Sequence, residues 1–534
     1  MEQQDLNKRL IMAFVLSFLV FVGYSYLFTK APQNETAKQA LEQTNSSSPK
    51  APTIKSDDKS TPQGVTASKN TPTSSNSDVL LSVHSHSYKI TIDSLGRIAQ
   101  YELLEDKYKT KDGKDLQILG KNETKPLEVR FTDTKINDEA FKTPYTYTGS
   151  SNVDVTNGAK TITLTQKLSS VTITKTITIQ PNGAYSLDVK TSSPVAYFIT
   201  PGHRPMADSS RYMLVRGVLI KTKDGVIKTI EDKKAKGDEV FKGATIASAF
   251  DRYVATIFYN FKDGMNVSIL KVENDNPLIF VEGKPNLHLG GYIGPKEHNI
   301  LAAIDPKLTD VIEFGWFTFL SKPFFHILLA IHNAIGNWGW AIILFTLLVK
   351  LVLFPLSYKG MMSMQKLKDL APKMKDLKEK YKDDPAKMNM KMMEMYKKHG
   401  VNPMGGCLPM LLQIPVFFAL YRVLLNADEL QGAAWIHGWI DNLAVADPYY
   451  ILPILMGASM WFQQRITPNN FTDPMQEKIF KWFPVGMALM FIIMPFPSGL
   501  VLYWVTNNLF TIGQQYVINK AYAKHKEAAK HNKG

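Results

Sequence analysis

The chain has 534 residues, 45% of them hydrophobic, with a formal net charge of +14 and a mean hydropathy of −0.13. That length accommodates more than one domain, and the mean hydropathy hides a segregation, polar for the first three hundred residues and apolar afterwards. The single cysteine, Cys407, excludes an intramolecular disulfide and any multi-cysteine metal site; it sits in "MGGCLPM" with no histidine nearby, as a packed small residue does.

The first element is "LIMAFVLSFLVFVGYSYLF", residues 10–28, preceded by Lys8 and Arg9. Roughly 20 apolar residues suffice to cross a bilayer. No A-x-A cleavage site follows, so residues 1–30 are expected to be a cytoplasmic amino terminus with an uncleaved anchor. Residues 31–78 are dominated by Ser, Thr, Pro, Asn, Gln and Lys; they lack the apolar surface needed to fold and read as a flexible tether.

From residue 79 to 312 the pattern changes to strict alternation, as in "TITLTQ" (161–166) and "VTITKTITIQPNGAYSLDVK" (171–190), with "PNG" as a turn. Period two with β-branched residues predicts half-buried antiparallel strands, and a stretch of this length predicts a large β-sandwich. His84 and His86 share a strand face at i, i+2 spacing, but no third ligand is in view and surface histidines are expected. No metal and no cofactor is expected anywhere in the chain.

Residues 313–336, "EFGWFTFLSKPFFHILLAIHNAIG", mix aromatics with Lys322, His326 and His332 and precede Trp338 and Trp340. This composition predicts an amphipathic helix in the outer interface rather than another span. Residues 337–519 then carry five candidate spans, at about 338–358, 404–426, 448–465, 480–496 and 499–519. With the anchor they make six, a polytopic α-helical membrane protein with a large extracytoplasmic β-sandwich domain.

Short-loop charge orients the spans, because cytoplasmic loops retain Lys and Arg. The segment Lys359 to Lys398 holds twelve lysines against six acids, whereas Ala427 to Asp447 holds four acids and no Lys or Arg. Arg465, Lys478 and Lys481 follow the fourth span, "PFPSG" has no charge, and the tail 520–534 has five lysines. Both termini are therefore expected in the cytoplasm and residues 31–312 outside. The lysines of the tail, Lys520, Lys524, Lys526, Lys530 and Lys533, suit the anionic inner leaflet or ribosomal RNA.

Within the cytoplasmic segment 359–400, Met364, Leu367, Met374, Leu377 and Tyr381 fall at three- and four-residue spacing around the turn "KDDP", which predicts a helical hairpin. Met361, Met362, Met390 and Met393 exceed what a two-helix seam buries. They offer an adaptable apolar contact surface.

In "AIILFTLLVKLVLFPL" (341–356), Lys350 is twelve residues from Trp338 and six from Leu356, roughly 18 Å from the outer edge and roughly 9 Å from the inner one. Snorkelling toward the headgroups accounts for one lysine. It does not account for the polar company. Thr346 is one turn away; Gln413 lies in the third span, Gln463 and Gln464 end the fourth, and Tyr503, Asn507, Thr511 and Gln514 or Gln515 stripe the sixth. Polar side chains gathered at one depth from several helices face each other or a wet cavity, which predicts a hydrophilic groove open to the cytoplasm.

The motifs "VNPMGGCLPMLLQIPVFFALY" (401–421), "DPYYILPILMGASMWFQQ" (447–464), "TDPMQEKIFKWFP" (472–484) and "FPSGLVLYWVTNNL" (496–509) resemble the core spans of the YidC membrane protein insertases, bacterial relatives of the mitochondrial Oxa and chloroplast Alb proteins. The resemblance covers roughly residues 1–30 and 313–520, and the β domain is similar to that of Gram-negative members. It implies a five-helix core whose groove holds one basic residue at the position of Lys350. Many Gram-negative members carry arginine there, and lysine keeps the charge without the planar fork. It further implies insertion of nascent integral membrane proteins into the inner membrane, alone or with the Sec translocon. Their apolar segments would leave along Ile414, Pro415, Phe417, Val485 and Met490, beside Tyr503 and Trp504.

No G-x-x-x-x-G-K-[ST] is present, so hydrophobic partitioning and the membrane potential are the available energy sources. A secondary transporter would share the buried charge, but no repeated half is visible. A membrane enzyme would need a nucleophile and base at depth, and no core span carries a histidine.

Overall fold

The computed structural model describes residues 79–531 except 111, 208–214, 313, 316–317, 383, 401–407 and 468–473. The anchor at 10–28, the tether at 31–78, Lys533 and Cys407 lie outside the described residues.

Alternation becomes strand pleat directly. Strand Lys160–Lys167 buries Ile162, Leu164 and Gln166, and its neighbour Thr172–Ile179 buries Ile173, Lys175, Ile177 and Ile179. The chain then turns at Gly183, whose φ of +85° and approach to the Ile293 carbonyl leave no room for a Cβ. These strands close one end of a twelve-stranded sheet. Its path runs Val129–Phe131, Tyr197–Ile199, Pro277–Glu282, Met265–Lys271, Glu239–Phe250, Val254–Tyr259, Asn286–Pro295, Ala184–Thr191, Thr172–Ile179, Lys160–Lys167. The hairpin Gly217–Thr222 and Ile227–Glu231 adds to Glu239–Phe250.

A second sheet of five strands centres on Tyr88–Asp93. The two sheets are tied through buried polar groups: Tyr88 donates to the Gln180 carbonyl at 2.5 Å and Ser85 to the Pro181 carbonyl at 2.7 Å. Lys175 is fully buried, donates to the carbonyls of Gly96 (3.0 Å) and Leu127 (2.8 Å), and is pushed down to about 7 by burial. The result is a β-sandwich-like domain. His86 falls in the turn after strand Val79–His84 rather than on it, and among the described residues no cluster is able to hold a metal.

Two short helices, α1 (Thr134–Ala140, capped by Asp133) and α2 (His298–Ile304), belong to this domain. The helical part follows: α3 (Thr318–Ile335), α4 (Trp338–Val352), α5 (Phe354–Lys380), α6 (Pro385–Lys398), α7 (Leu408–Asn426), α8 (Ile451–Ile466), α9 (Pro474–Ile493) and α10 (Ser498–His531). Asn337 caps α4 by accepting from the Trp340 amide at 3.1 Å. A Cβ on Gly457 would come 2.7 Å from that of Ala488, so α8 and α9 pack at a separation set by small residues.

Three expectations change here. The span drawn at 338–358 is not one straight helix: α4 and α5 meet at a bend of 65°, where Pro355 in the first turn of α5 has no amide to continue the ladder. The hairpin's first helix thus starts at Phe354, inside the expected span. The tail does not begin at 520 as a separate segment, since α10 continues through "NKAYAKHKEAAKH", a run without Gly or Pro. Finally, among the described residues no single helix is long and apolar enough to cross a membrane, and the bent pair of α4 and α5 alone reaches that length and composition. Polar residues within α7 and α10, among them Gln413, Arg422, Asn507, Asn508 and Gln514, lower the hydropathy of those helices.

The β domain meets the helices at a seam of buried groups. Tyr108 donates to Asp428 at 2.5 Å, the His298 amide to Glu429 at 2.9 Å, and Arg252 to the Leu425 carbonyl at 2.7 Å. Lys107 pairs with Glu297 and lies 3.9 Å from Asp428. Burial first, then the neighbouring carboxylates Glu297 and Glu429, hold the Asp428 carboxyl well above its usual range despite Tyr108 and Lys107. Burial also raises Glu429. Ser321 of α3 donates to the Ala419 carbonyl of α7 at 3.1 Å, so α3 is fastened to the same helix that leads into Asp428.

Candidate functional site

The site begins with the end of α4. Because that helix stops at Val352, Lys350 stands in its last turn, where the negative end of the helix dipole favours a cation. Its ammonium crosses to α10 and donates to Thr511 Oγ1 at 2.9 Å, and the Thr511 hydroxyl in turn donates to the Asn507 carbonyl at 2.7 Å. Gln514 returns the contact by donating to the Lys350 carbonyl at 3.3 Å. An ammonium has three donors, so the charge retains hydrogen-bonding capacity toward the space beside it.

That space is a cavity of about 390 Å³ lined by α4, α5, α7, α8 and α10. One wall is polar: Lys350, Asn507, Thr511, Gln514, Gln515 and, from α8 and its C-cap, Gln463 and Thr467. The side-chain carbonyl oxygens of Asn507 and Gln514 are buried without a hydrogen-bond partner among the described residues. Gln413 donates to the Tyr503 hydroxyl at 3.1 Å at the margin of this wall. The other wall is apolar. Phe417 packs on Trp504 at 4.9 Å between ring centroids and on Tyr503 at 6.4 Å, with Ile414 and Phe418 beside it. Met361 and Met364 of α5 line the remaining rim with Ser357.

Of the residues singled out from sequence, Lys350, Gln413, Gln463, Asn507, Gln514, Ile414, Phe417, Tyr503, Trp504 and Met361 line this one cavity. Thr346 does not: it is 1% exposed and donates back to the Ile342 carbonyl at 2.6 Å, satisfied inside its own helix. Pro415 is half-buried away from the cavity, and on α9 Val485 is exposed and Met490 half-buried, both outside the lining. Gln464 is turned toward α9, where it donates to the Phe480 carbonyl at 2.9 Å. In the hairpin, Leu367, Leu370, Met395 and Tyr396 form the core with Met364, Met374 and Leu377 against it, while Met362 is half-buried and Met390 and Met393 are more than half exposed.

Sequence reading missed Ser357, Met364, Phe418 and Thr467 as lining residues. Three of these carried a signal. Ser357, Met361 and Met364 follow at i, i+4 and i+7, one face of a helix continuing past the bend, and Thr467 lies four residues after Gln463.

Residues 80–327 match the family model described as the YidC periplasmic domain, and residues 330–526 that described as the 60Kd inner membrane protein. Over 524 residues the chain is 49% identical to the membrane protein insertase YidC of Campylobacter jejuni, covering 97% of each. The chain belongs to the YidC family. The YidC insertase of Wolinella succinogenes is 48% identical over 540 residues, covering 99% of this chain and 97% of that one. That of Helicobacter pylori strain 26695 is 44% identical over 564 residues, covering both fully. The YidC family is an inner-membrane family with a periplasmic domain, and the two family matches meet within α3, between residues 327 and 330. The cavity with Lys350 falls wholly in the inner-membrane match, and the seam at Tyr108 and Asp428 joins one match to the other.

Proposed function

We propose that this chain is a membrane protein insertase of the inner membrane, acting through the cavity beside Lys350. In this reading six spans cross the bilayer: the anchor at 10–28, the bent pair α4 and α5, then α7, α8, α9 and α10. Both termini are cytoplasmic, residues 31–312 are periplasmic, and the cavity is a hydrophilic groove open to the cytoplasm. A hydrophilic tail or short loop of a nascent membrane protein enters the groove, where polar groups and water lower the cost of taking it partway across. Its apolar segment leaves past Ile414 and Phe417, along a slide that continues over Pro415 and, on α9, Val485 and Met490. The observation that carries the reading is an ammonium drawn across onto Thr511, between a polar wall with two unpartnered carbonyl oxygens and an aromatic wall of Phe417 and Trp504.

Lys350 recruits rather than drives. At ~8 Å and an effective dielectric of ~20, a unit pair is worth roughly 2 kcal/mol, enough to bias entry of an acidic tail but not to translocate it. The exposed Met390 and Met393 make the hairpin a contact surface for clients, the β domain and α3 offer docking surfaces for the Sec translocon, and the basic tail faces anionic lipid and the ribosome.

The test is insertion into liposomes containing only this chain, with paired clients that differ solely in tail charge. Lys350→Arg stays near wild type, Lys350→Ala is intermediate, and Lys350→Glu fails most severely on acidic tails. Equal loss for acidic and neutral tails would assign Lys350 a structural role, and solute flux without insertion would favour a transporter.

A further inference from the structure

The extension of α10 beyond the bilayer is attached to the hairpin. On α5, Gln365 and Asp369 are one turn apart on the same face; on α10, Asn519, Tyr522 and Lys526 follow at i, i+3 and i+7 and likewise share one face. The two faces meet in two tiers. In the inner tier Asn519 Oδ1 accepts from Gln365 and, at 2.6 Å, from Gln515, while the Asn519 amide donates to the Ile466 carbonyl at the end of α8, 3.4 Å away. In the outer tier one oxygen of Asp369 accepts from the Tyr522 hydroxyl at 2.9 Å and the Lys526 ammonium at 2.8 Å. The inner tier is covered, with Gln515 2% and Gln365 9% exposed; the outer pair stands in water, with side chains 37% and 51% exposed.

These contacts bear on the groove because of what lies on the same two helices. Met361 and Met364, on the turns before Gln365, form part of the cavity's rim. Thr511, which receives the Lys350 ammonium, lies fifteen residues before Lys526 on the same uninterrupted helix, roughly 22 Å away at a rise of about 1.5 Å per residue. One rod therefore holds the cation at one end and the rim at the other.

We propose that Gln365, Asp369, Asn519, Tyr522 and Lys526 are positioning residues that clamp the hairpin to α10 and so set how far the methionine rim of the groove opens for a client. The inner tier fixes the register, and the outer tier is the part that lets go, since an exposed ion pair shifts such an equilibrium by about fivefold at most. Lys526 on this account is a component of the groove's mechanics, in addition to being one of several basic residues in a tail. The proposal rests on reading the cavity as the client groove, and its first measurement needs no client.

The experiment uses the full chain in proteoliposomes, with Cys407→Ser as background and Met361→Cys as the reporter of the rim. Asp369→Lys and Lys526→Asp each set like charges against one another. Each raises labelling of Met361→Cys by a soluble maleimide by about threefold to fivefold and changes the rate of client insertion. The double exchange, Asp369→Lys with Lys526→Asp, restores both to within about twofold, a rescue that a residue needed only for local helix stability would not give. Asn519→Leu, which removes the inner tier, opens the rim further than either single exchange. Unchanged labelling in the single exchanges, or failure of the double exchange to restore it, overturns the clamp. Restored labelling and altered rim access with insertion unaffected throughout would leave a clamp that does not serve the groove, overturning its proposed role while the insertase reading stands on the Lys350 series.

Discussion

The two ends of the helical core are fastened by different chemistry. At the seam with the β domain, Tyr108, Asp428 and Arg252 make their contacts out of water, and Asp428 is fully buried with one oxygen already lacking a partner. At the hairpin, the pair Asp369 and Lys526 is solvated and only the amide tier behind it is covered. Breaking a buried polar contact leaves a group that water does not reach, at about 1–3 kcal/mol, whereas an exposed ion pair contributes about 0–1 kcal/mol. A seam of the first kind holds one arrangement. A clamp of the second kind opens and closes within thermal reach.

The largest effect that separates the two ends is expected from Tyr108→Phe. The substitution removes the hydroxyl that donates to Asp428 Oδ2 and leaves a buried carboxyl with neither oxygen hydrogen-bonded by Tyr108 or any described partner. The seam loses about 1–3 kcal/mol, read as faster amide hydrogen exchange over residues 427–431 with exchange in the hairpin unchanged. Unaltered exchange at 427–431 would mean that the packing of α3 and α7, not this bond, holds the seam.

The two ends also respond to pH in opposite directions. Asp428 and Glu429 are held above the ordinary carboxylate range, so their contribution is fully present below the unfolded range near 4 and is lost as pH rises through the raised folded values. Asp369 is held below that range, first by the hydrogen bond from Lys526 and then by Tyr522, so its contribution is present above about 4 and lost as pH falls through the depressed value. Raising pH from 5 to 8 should therefore increase exchange at 427–431, after correction for intrinsic rate, and leave residues 362–372 nearly flat. Asp428→Asn should weaken the first response, and Asp428→Asn with Glu429→Gln should abolish it. A hairpin that loosens as pH rises over this interval would contradict the comparison.

The smallest effect is expected from Asp369→Asn, which keeps an oxygen for Tyr522 but discards the charge. Because the pair is exposed, the loss stays below about 1 kcal/mol and exchange in residues 362–372 rises less than about fivefold. An effect as large as that of Tyr108→Phe would show that the outer tier is coupled to the buried amides and is not the weak member.

Legibility followed the range of the interactions. The β domain was readable because strand alternation is local: the same period that exposes Thr161 and Thr163 buries Ile162 and Leu164. The cavity was half readable. Lys350 stood out as a charge in an apolar helix, and Asn507 and Gln514 as a stripe on another, but their partnership through Thr511 depends on how α4 and α10 are rotated against each other. Thr346 shares a face with Lys350 by spacing alone, and it is spent on its own backbone. Val485 and Met490, which the resemblance implies for the client path, lie outside the cavity's lining.

What the sequence by itself determined is therefore whatever a period of two or of 3.6 encodes within one element: the sandwich strands, the amphipathic hairpin, a lone cation in an apolar helix and the apolar stretches around it. The tertiary structure alone decided where those elements face. The 65° bend that puts Lys350 in a helix's last turn, the rotation that turns its ammonium onto Thr511, and the meeting of Asp369 with Lys526 across 157 residues are all contacts between elements. Residue spacing fixes the phase of a side chain around its own helix. It carries no information on the angle at which a second helix packs against it, and that angle sets which polar groups find one another.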